Sequence, residues 1–305
     1  MTGLLTFLLF ATLLSGCADV KATAATSAES SAAAISTTAA STAADTAVSS
    51  ETTAAAVTEP TATPSPIPNE PVLPDTELII SAAASLTGVC GSLTDLFAKE
   101  QPQVTLTFNF GASGALQEQI ENGAPADLFI SAGVKQMKAL TDGGFMVDDT
   151  LVDLLENEVA LVIPAGSEAG ITSFEDAATD KVITLALGDP DSVPAGQYAA
   201  QVFESLGITD DVSPKIVYGK DVRQILTYIE NGEVDAGVIF VTDAYSSDKV
   251  TIAATAPAGS HTAVIYPAGI VKASENQAAA QIFLDFLSTP EAAAVFESYG
   301  FIMAG

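Results

Sequence analysis

The sequence predicts an α/β fold with mostly parallel sheets flanked by helices. Short apolar segments typical of strands alternate with amphipathic segments of helical length, which indicates successive βαβ units. The chain beyond residue 76 is long enough for two lobes of roughly a hundred residues each. Two cysteines and one histidine are too few for a disulfide framework or a His-rich metal site.

Strands are predicted where apolar segments are short, and helices where apolar residues recur every three or four positions. The predicted strands are residues 77–83, 104–110, 126–132, 158–164, 181–187, 215–218, 235–240 and 263–268. The predicted helices are residues 85–99, 113–122, 135–141, 195–206 and 221–230. In the first of these helices the apolar residues of one face are Leu86, Val89, Leu93, Leu96 and Phe97.

The net charge of the chain is strongly negative. Ten basic residues stand against 38 acidic ones, which gives a formal charge of −28. Because such a surface repels a polyanion, we expect no nucleic-acid partner. Neither the GxxxxGK[ST] nor the GxGxxG pattern occurs, so nothing indicates a nucleotide-binding loop.

The N-terminus predicts an export signal and a lipid anchor. Residues 4–14 are apolar but well short of the ~20 residues that span a bilayer. They lead into small residues that end at Cys17, the form of a lipoprotein signal peptide of residues 1–17, cleaved before a lipidated Cys17. The first three residues lack the usual positive charge. The alternative is a buried apolar helix with a chance cysteine.

Residues 18–76 predict a disordered stalk. They are almost entirely Ala, Ser, Thr and Pro, with Lys21 as the only basic residue and no aromatic residue. Such a segment buries too little apolar surface to offset its ordering entropy, and the prolines near its end favour an extended chain. We expect the stalk to hold a folded body away from a membrane surface. A helix over the alanine runs is the alternative.

Four predicted strand-to-helix turns place small or polar residues at a helix start. They contain Ser85, Ser113, residues 194–196 and Asp221-Val222. In open α/β sheets ligands bind beyond the carboxyl ends of the strands, and a helix N-terminus offers unpaired N–H groups to an anion. The turns therefore predict an anion site if all four converge. The alternative is that Ser85, Ser113 and Asp221 are ordinary N-caps.

Five segments in chain order carry a family resemblance. They are AAASLT (82–87), GAPADLFISA (123–132), GDP with VPAG and YA (188–199), DVR (221–223) and YGF (299–301). They resemble the molybdate-binding proteins of ABC transporters. The resemblance implies a two-lobed type II periplasmic-binding-protein fold with a hinge. Lobe I would be residues 77–157 and 262–305, and lobe II residues 158–261.

The resemblance also implies a binding site for an oxyanion. Ser85 and Ser113 would hold the anion through their hydroxyls and backbone N–H groups, and the N–H groups of Ala195 and Val222 would complete the cage from lobe II. The family places a tyrosine hydroxyl at the position of Phe240, which keeps the ring and lacks the donor. No metal is implied beyond the molybdenum of the bound anion, and no cofactor.

We therefore expect an exported lipoprotein, anchored on the outer face of the cell membrane, that captures molybdate or tungstate for an ABC permease. It would be a monomer without catalytic activity. The alternatives are another oxyanion, sulfate or phosphate, on the same fold, a serine hydrolase built on Ser113 and His261, and an adhesin that uses only the stalk. Arg223 either points at the ligand or forms an ion pair on the helix surface with an acid such as Asp221 or Glu175.

Overall fold

The computed structural model describes residues 74–305. Its strands are β1 (Thr76–Ala83), β2 (Val104–Gly111), β3 (Leu128–Ile130), β4 (Val152–Asn157), β5 (Val159–Pro164), β6 (Leu185–Gly188), β7 (Ile216–Gly219), β8 (Ala236–Phe240), β9 (Val250–Thr255), β10 (Val264–Ile270) and β11 (Ile302–Met303). Its α-helices are α1 (Thr87–Glu100), α2 (Ser113–Glu121), α3 (Val134–Asp142), α4 (Pro194–Leu206), α5 (Thr209–Val212), α6 (Val222–Glu230), α7 (Val241–Tyr245), α8 (Gln277–Leu287) and α9 (Pro290–Ser298). Short 3₁₀ turns occur at Ala84–Leu86, Asp148–Thr150, Phe174–Ala178 and Ser213–Lys215.

The strands form two sheets, and each sheet with its helices is called a lobe below. The sheet of lobe I has the order β11-β4-β10-β3-β1-β2, and the sheet of lobe II has the order β7-β6-β8-β5-β9. The chain passes from lobe I to lobe II between β4 and β5, at Glu158, and returns between β9 and β10. The predicted α/β fold with two sheets flanked by helices is confirmed.

Both sheets are mixed, so the expectation of mostly parallel sheets is wrong. The pairs β1–β2, β1–β3, β6–β7 and β6–β8 are parallel. The pairs β3–β10, β4–β10, β4–β11, β5–β8 and β5–β9 are antiparallel. The antiparallel pairs involve β4, β5, β9 and β10, the strands on either side of the two passages between lobes. A strand that returns from the other lobe enters its sheet in the opposite direction.

The predicted helices form because each buries one apolar face. In α1 the buried residues are Val89, Cys90, Leu93 and Phe97. The ring of Phe97 meets Phe283 and Phe286 of α8, each with ring centroids 5.0 Å apart. Aromatic pairs of this kind stabilise a core beyond the burial of their area. Lobe I is thus closed on one side by α1 and α8.

Two predicted strands are shorter than expected. The segment 181–187 contributes only its end to β6. The backbone N–H groups of Ile183 and Thr184 both donate to the carboxylate of Asp235 at 2.8 Å, so they do not form hydrogen bonds to a neighbouring strand. The segment 126–132 contributes only β3. Just before this strand the Asp127 carboxylate accepts the N–H of Ile79 at 2.7 Å.

The parallel strands place their carboxyl ends toward the other lobe. β1 leads into the turn at Ser85, β2 into α2, and in lobe II β7 leads into α6. Because these ends face one crevice, helix starts from both lobes come together there. Among residues 74–305, no helix has the length and apolar character needed to cross a membrane. The predicted signal peptide with Cys17, and the stalk up to residue 73, lie outside the described residues.

Candidate functional site

Residues of both lobes line one small pocket in the crevice. Lobe I contributes the ends of β1 and β2 with the turns that follow them, and lobe II contributes the starts of α4 and α6 and the end of β8. The lining includes all five residues that the sequence analysis selected, which are Ser85, Ser113, Ala195, Val222 and Phe240. The structure therefore brings these residues together. That they bind an anion stays a prediction.

The starts of three helices and one 3₁₀ turn line this pocket. Ser85 is in the 3₁₀ turn after β1, Ser113 is the first residue of α2, Ala195 the second of α4 and Val222 the first of α6. N–H groups in the first turn of a helix have no partner within the helix and carry a partial positive charge. Their convergence from two lobes makes the pocket suitable for an anion.

The N-cap alternative is wrong for the two serines and correct for Asp221. The N-cap of α2 is Ala112, and that of the 3₁₀ turn is Ala83, so neither serine occupies a cap position. Asp221 is the N-cap of α6, where its Oδ1 accepts the N–H of Gln224 at 2.9 Å.

Each serine hydroxyl already accepts, or is placed to accept, a hydrogen bond from behind the pocket. The Oγ of Ser113 accepts the backbone N–H of Ala132 at 3.0 Å. The Oγ of Ser85 lies 3.0 Å from the hydroxyl of Tyr266. Both serines are buried, with 1% and 7% of their surface exposed for Ser113 and Ser85. A hydroxyl that accepts on one side keeps its own proton to donate on the other.

Phe240 closes the back of the pocket with an apolar ring. It ends β8 and is almost completely buried. Its ring contacts Tyr198 and Tyr266 in edge-to-face arrangements, with centroids 6.3 and 5.7 Å apart. A phenyl ring contributes no hydrogen-bond donor, so the donors of this pocket come from helix starts and serine hydroxyls alone.

Tyr266 and Asn157 are site residues that sequence reasoning missed. Tyr266 is fully buried in β10, and its hydroxyl lies 3.0 Å from Ser85 Oγ and 3.2 Å from Asn157 Nδ2. The same Nδ2 donates to Thr242 Oγ1 at 2.8 Å. Burial raises the pKa of Tyr266 well above its usual value, so the ring stays neutral. A tyrosine in an otherwise apolar strand was the available signal, because a buried hydroxyl needs a partner.

Arg223 does not line the pocket, and it pairs with an acid, although that acid is Asp243 and neither Asp221 nor Glu175. Its Nη1 donates to Ser246 Oγ at 3.0 Å and lies 3.7 Å from Asp243 Oδ1. Asp243 is fully buried, and neither carboxylate oxygen has a hydrogen-bond partner among residues 74–305. Burial raises the pKa of Asp243 from 3.8 to about 7, and the nearby Arg223 charge opposes this rise.

The two lobes touch directly beside the pocket. The N–H of Gly114 in lobe I donates to the carbonyl oxygen of Ser192 in lobe II at 2.9 Å. A Cβ on Gly114 would lie 2.5 Å from that oxygen, so only glycine permits this approach. The cavity between the lobes has a volume of about 10 Å³, which is room for one water-sized group. A larger ligand enters or leaves only when the lobes separate.

Larger grooves lie elsewhere on the surface and lack this convergence of donors. One of about 570 Å³ is at the far end of lobe I, where Lys272 is accompanied by the carboxylates of Glu77, Asp127 and Glu275. His261 is half-buried and is not among the residues lining the pocket at Ser113. Its ring packs against the edge of Tyr198, and its Nδ1 is 2.6 Å from the carbonyl oxygen of Thr262.

Sequence comparison relates most of the described chain to known proteins. A model of the bacterial extracellular solute-binding proteins matches residues 78–302. A Bacillus subtilis (strain 168) protein, provisionally named a substrate-binding lipoprotein of an ABC transporter, is 45% identical over 224 residues, which are 73% of this chain and 85% of that protein. The molybdate-binding protein of Escherichia coli (strain K12) is 38% identical over 229 residues, 74% of this chain and 88% of the other.

Solved structures share the fold. One is the substrate-binding domain of a Clostridium difficile protein that is provisionally named a molybdenum ABC transporter. It is 39% identical and has a TM-score of 0.60, over 75% of this chain and all of that one. The periplasmic molybdate-binding protein of Azotobacter vinelandii, at 23% identity, has a TM-score of 0.69 over 75% of this chain and all of its own. The two-lobed type II periplasmic-binding-protein fold is thereby confirmed. With a family model that spans both lobes, the chain belongs to the bacterial extracellular solute-binding proteins.

Proposed function

We propose that this protein captures molybdate or tungstate between its lobes and delivers it to an ABC permease. The observation that supports this most is the pocket itself, in which helix starts of both lobes and two serine hydroxyls converge. Each serine oxygen has a partner behind it, which leaves its proton for a ligand. The relatives in Escherichia coli and Azotobacter vinelandii are named for molybdate binding.

Neutral donors can hold a dianion in this acidic protein. No Lys or Arg is among the residues lining the pocket, and Asp221 is its only ionisable group. Hydrogen bonds to a charged acceptor are worth roughly 1.5–3 kcal/mol each when they are buried. Several such bonds, with the partial positive charges of the helix starts, outweigh the repulsion from the protein's net charge.

The donors favour a fully deprotonated tetrahedral anion. A phosphate binder commonly combines a carboxylate acceptor with an arginine that binds the anion through two N–H groups, and no arginine lines this pocket. Sulfate, which has no proton at neutral pH, is therefore the stronger alternative ligand of the two. The anion panel below separates these ligands.

We propose binding without catalysis. A serine hydrolase would need a base beside Ser113, but the hydroxyl oxygen there accepts a backbone N–H, and His261 packs on Tyr198 instead. The family consists of solute-binding proteins, which supports this proposal, and the pocket offers no reason to invoke a cofactor.

We also propose that the mature protein is a monomer held on the outer face of the membrane by a lipid on Cys17. The lipoprotein form of residues 14–17 supports the anchor, as does the lipoprotein name of the Bacillus subtilis relative. We expect Cys17→Ala to move the protein from the membrane pellet to the soluble exported fraction. Fractionation followed by immunoblotting measures this, and a variant that stays in the pellet would contradict the anchor.

A thermal-shift panel tests the ligand. The folded protein is heated with molybdate, tungstate, sulfate, phosphate or Fe³⁺, and the expected result is a rise in Tm with molybdate and tungstate. A ligand at a hundred times its Kd adds roughly 2.7 kcal/mol to the free energy of unfolding. A rise with sulfate or phosphate alone would replace the proposed ligand. The absence of any shift would contradict solute binding in this pocket and leave the adhesin alternative.

A further inference from the structure

Three buried polar groups form a row that ends at the pocket. Asn157 Nδ2 lies 3.2 Å from the hydroxyl oxygen of Tyr266, and that oxygen lies 3.0 Å from Ser85 Oγ. Asn157, Tyr266 and Ser85 are 8%, 0% and 7% exposed. Because almost no bulk water reaches this row, its groups must find their hydrogen-bond partners within the protein.

The direction of these hydrogen bonds follows from one backbone contact. The N–H of Glu158 lies 2.8 Å from Asn157 Oδ1, and because an N–H can only donate, this end of the amide is the oxygen. The other end, Nδ2, therefore faces Tyr266 and Thr242 and donates to both. The hydroxyl oxygen of Tyr266 accepts from Nδ2, so its single proton is directed at Ser85 Oγ. Ser85 then accepts, and its own proton is left for the pocket.

We propose that Tyr266, oriented by Asn157, is a positioning residue that holds the Ser85 hydroxyl as a donor to the bound anion. This inference rests on the proposed function of the pocket. Tyr266 does not line the pocket and acts only through Ser85. Because the ring stays neutral, its proton is present throughout the physiological pH range.

Ser113 shows the same arrangement made by other means. Its oxygen accepts the backbone N–H of Ala132, so that serine is also left with a proton for the pocket. The two serines of lobe I are thus both fixed as donors, one by the main chain and one by a side chain. Only the side-chain partner, Tyr266, can be removed by a substitution. Phe240 has no hydroxyl that would replace the lost hydrogen bond.

Hydrogen bonds in such a chain strengthen each other, because each donor is polarised by the bond it accepts. This row of hydrogen-bonded groups is anchored in both lobes. Asn157 is the last residue of β4 in lobe I, and its amide also donates to Thr242 of α7 in lobe II. We therefore expect Ser85 to be a stronger donor in this protein than a serine whose hydroxyl rotates freely.

The test is a double-mutant cycle on molybdate affinity by calorimetric titration. Tyr266→Phe keeps the ring, which packs on Phe240 and Phe301, and removes the proton. We expect molybdate to bind about tenfold more weakly. In the Ser85→Ala background the same change should have no further effect, whereas in the Ser113→Ala background its tenfold effect should persist. A structural disturbance of β10 would weaken binding equally in all three backgrounds.

Tyr299→Phe is the matched control. It removes another hydroxyl of lobe I that bonds a serine, Ser92, at 2.9 Å, and neither residue lines the pocket. This variant should bind molybdate as the unchanged protein does. Unchanged affinity in Tyr266→Phe, or a further loss on adding Tyr266→Phe to Ser85→Ala, would overturn the proposed relay from Asn157 through Tyr266 to Ser85.

A second measurement needs no variant. In the unchanged protein the Tyr266 hydroxyl proton should exchange slowly with water and show a nuclear Overhauser effect to the Ser85 β-protons. Rapid exchange without that effect would overturn the relay even where Tyr266→Phe failed to fold. If the unchanged protein binds neither molybdate nor any other tetrahedral oxyanion, the proposed function fails instead, which is a distinct outcome.

Discussion

The proposed role of the two pocket serines requires that each keeps its hydroxyl proton for the ligand. The Oγ of Ser113 accepts a backbone N–H, the Oγ of Ser85 is paired with the Tyr266 hydroxyl, and neither serine is an N-cap. This is why sequence patterns alone could not decide between a cap and a ligand contact. Both uses place a serine at a strand-to-helix turn, and only the position of the partner behind it separates them.

The first residue-scale prediction concerns Ser85→Ala and Ser113→Ala. Each removes one hydroxyl donor, so we expect molybdate affinity to fall about tenfold or more in each variant. Without ligand each variant should lose about 1–3 kcal/mol of unfolding free energy, because Ser113→Ala leaves the buried N–H of Ala132 without its acceptor and Ser85→Ala leaves the hydroxyl of Tyr266 without its partner. Calorimetric titration with molybdate measures the first effect and thermal unfolding the second. Equal affinity in all three proteins would show that the hydroxyls do not touch the ligand.

Phe240 supports a prediction in the opposite direction. Its ring lines the pocket at the position where the molybdate-binding family has a tyrosine. Phe240→Tyr adds one donor, so we expect tighter binding of the oxyanion, by roughly tenfold if the new hydroxyl reaches it. Titration of both proteins with molybdate and with sulfate measures the change. Weaker binding of every anion would mean that the pocket accommodates the phenyl ring of Phe240 but not the larger tyrosine ring.

Asp243 makes the stability of the protein depend on pH. Its pKa is about 7 in the folded chain, against 3.8 for an unperturbed aspartate, so between these pH values the folded state holds a proton that the unfolded state has lost. The free energy of unfolding should therefore fall as pH rises from about 4 to about 7, and level off above that. The positive charge of Arg223 lowers the pKa of Asp243 and so reduces this fall, whereas the negative charge of Asp221 raises that pKa and so increases it.

The measurement is urea unfolding between pH 4 and pH 8. Asp243→Asn cannot lose a proton, so its free energy of unfolding should lack this fall and exceed that of the unchanged protein at pH 8, on the order of a few kcal/mol. The same pH slope in both proteins would show that Asp243 is not the titrating group.

At the scale of elements, the sequence is most informative where strand, turn and helix follow in order. The strands and helices on both sides of Ser85, Ser113 and Val222 lie within one or two residues of the predicted positions. The direction of β10 could not be predicted, because a strand buried on both faces has the same apolar pattern whether it is parallel or antiparallel. The mixed sheets are the consequence.

Several elements carried no prediction. In β4 the buried residues Leu154 and Leu155 are adjacent, so the alternation that indicates a strand is absent. Tyr266 lies in β10 beside β4, and its contact with Asn157 depends on that pairing. Because Tyr266 is more than a hundred positions from both Asn157 and Ser85 in sequence, only the sheet order brings them together.

At the scale of the whole molecule, the function depends on how the two lobes meet. The donors of the pocket are divided between them, so a ligand is fully surrounded only when lobe I and lobe II are in contact. The chain connects the lobes twice, which permits a hinge movement of one lobe against the other. The contact between Gly114 and Ser192 lies beside the pocket and is made by backbone atoms on both sides.

The last prediction tests that contact with Gly114→Ala. The new Cβ would lie 2.5 Å from the carbonyl oxygen of Ser192 and 2.7 Å from its Cα, so the lobes have to separate there. Overpacking of this kind costs about 1–3 kcal/mol, and we expect molybdate affinity to fall roughly five- to a hundredfold. Gly91→Ala is the matched control, since Gly91 is an exposed helical glycine whose Cβ would meet no atom within 4 Å. Alanine stabilises either helix by at most ~1 kcal/mol, so a loss of affinity in Gly114→Ala alone, measured by calorimetry, is an effect on closure. Equal affinity in both variants would show that ligand binding does not require the lobes to meet at Gly114.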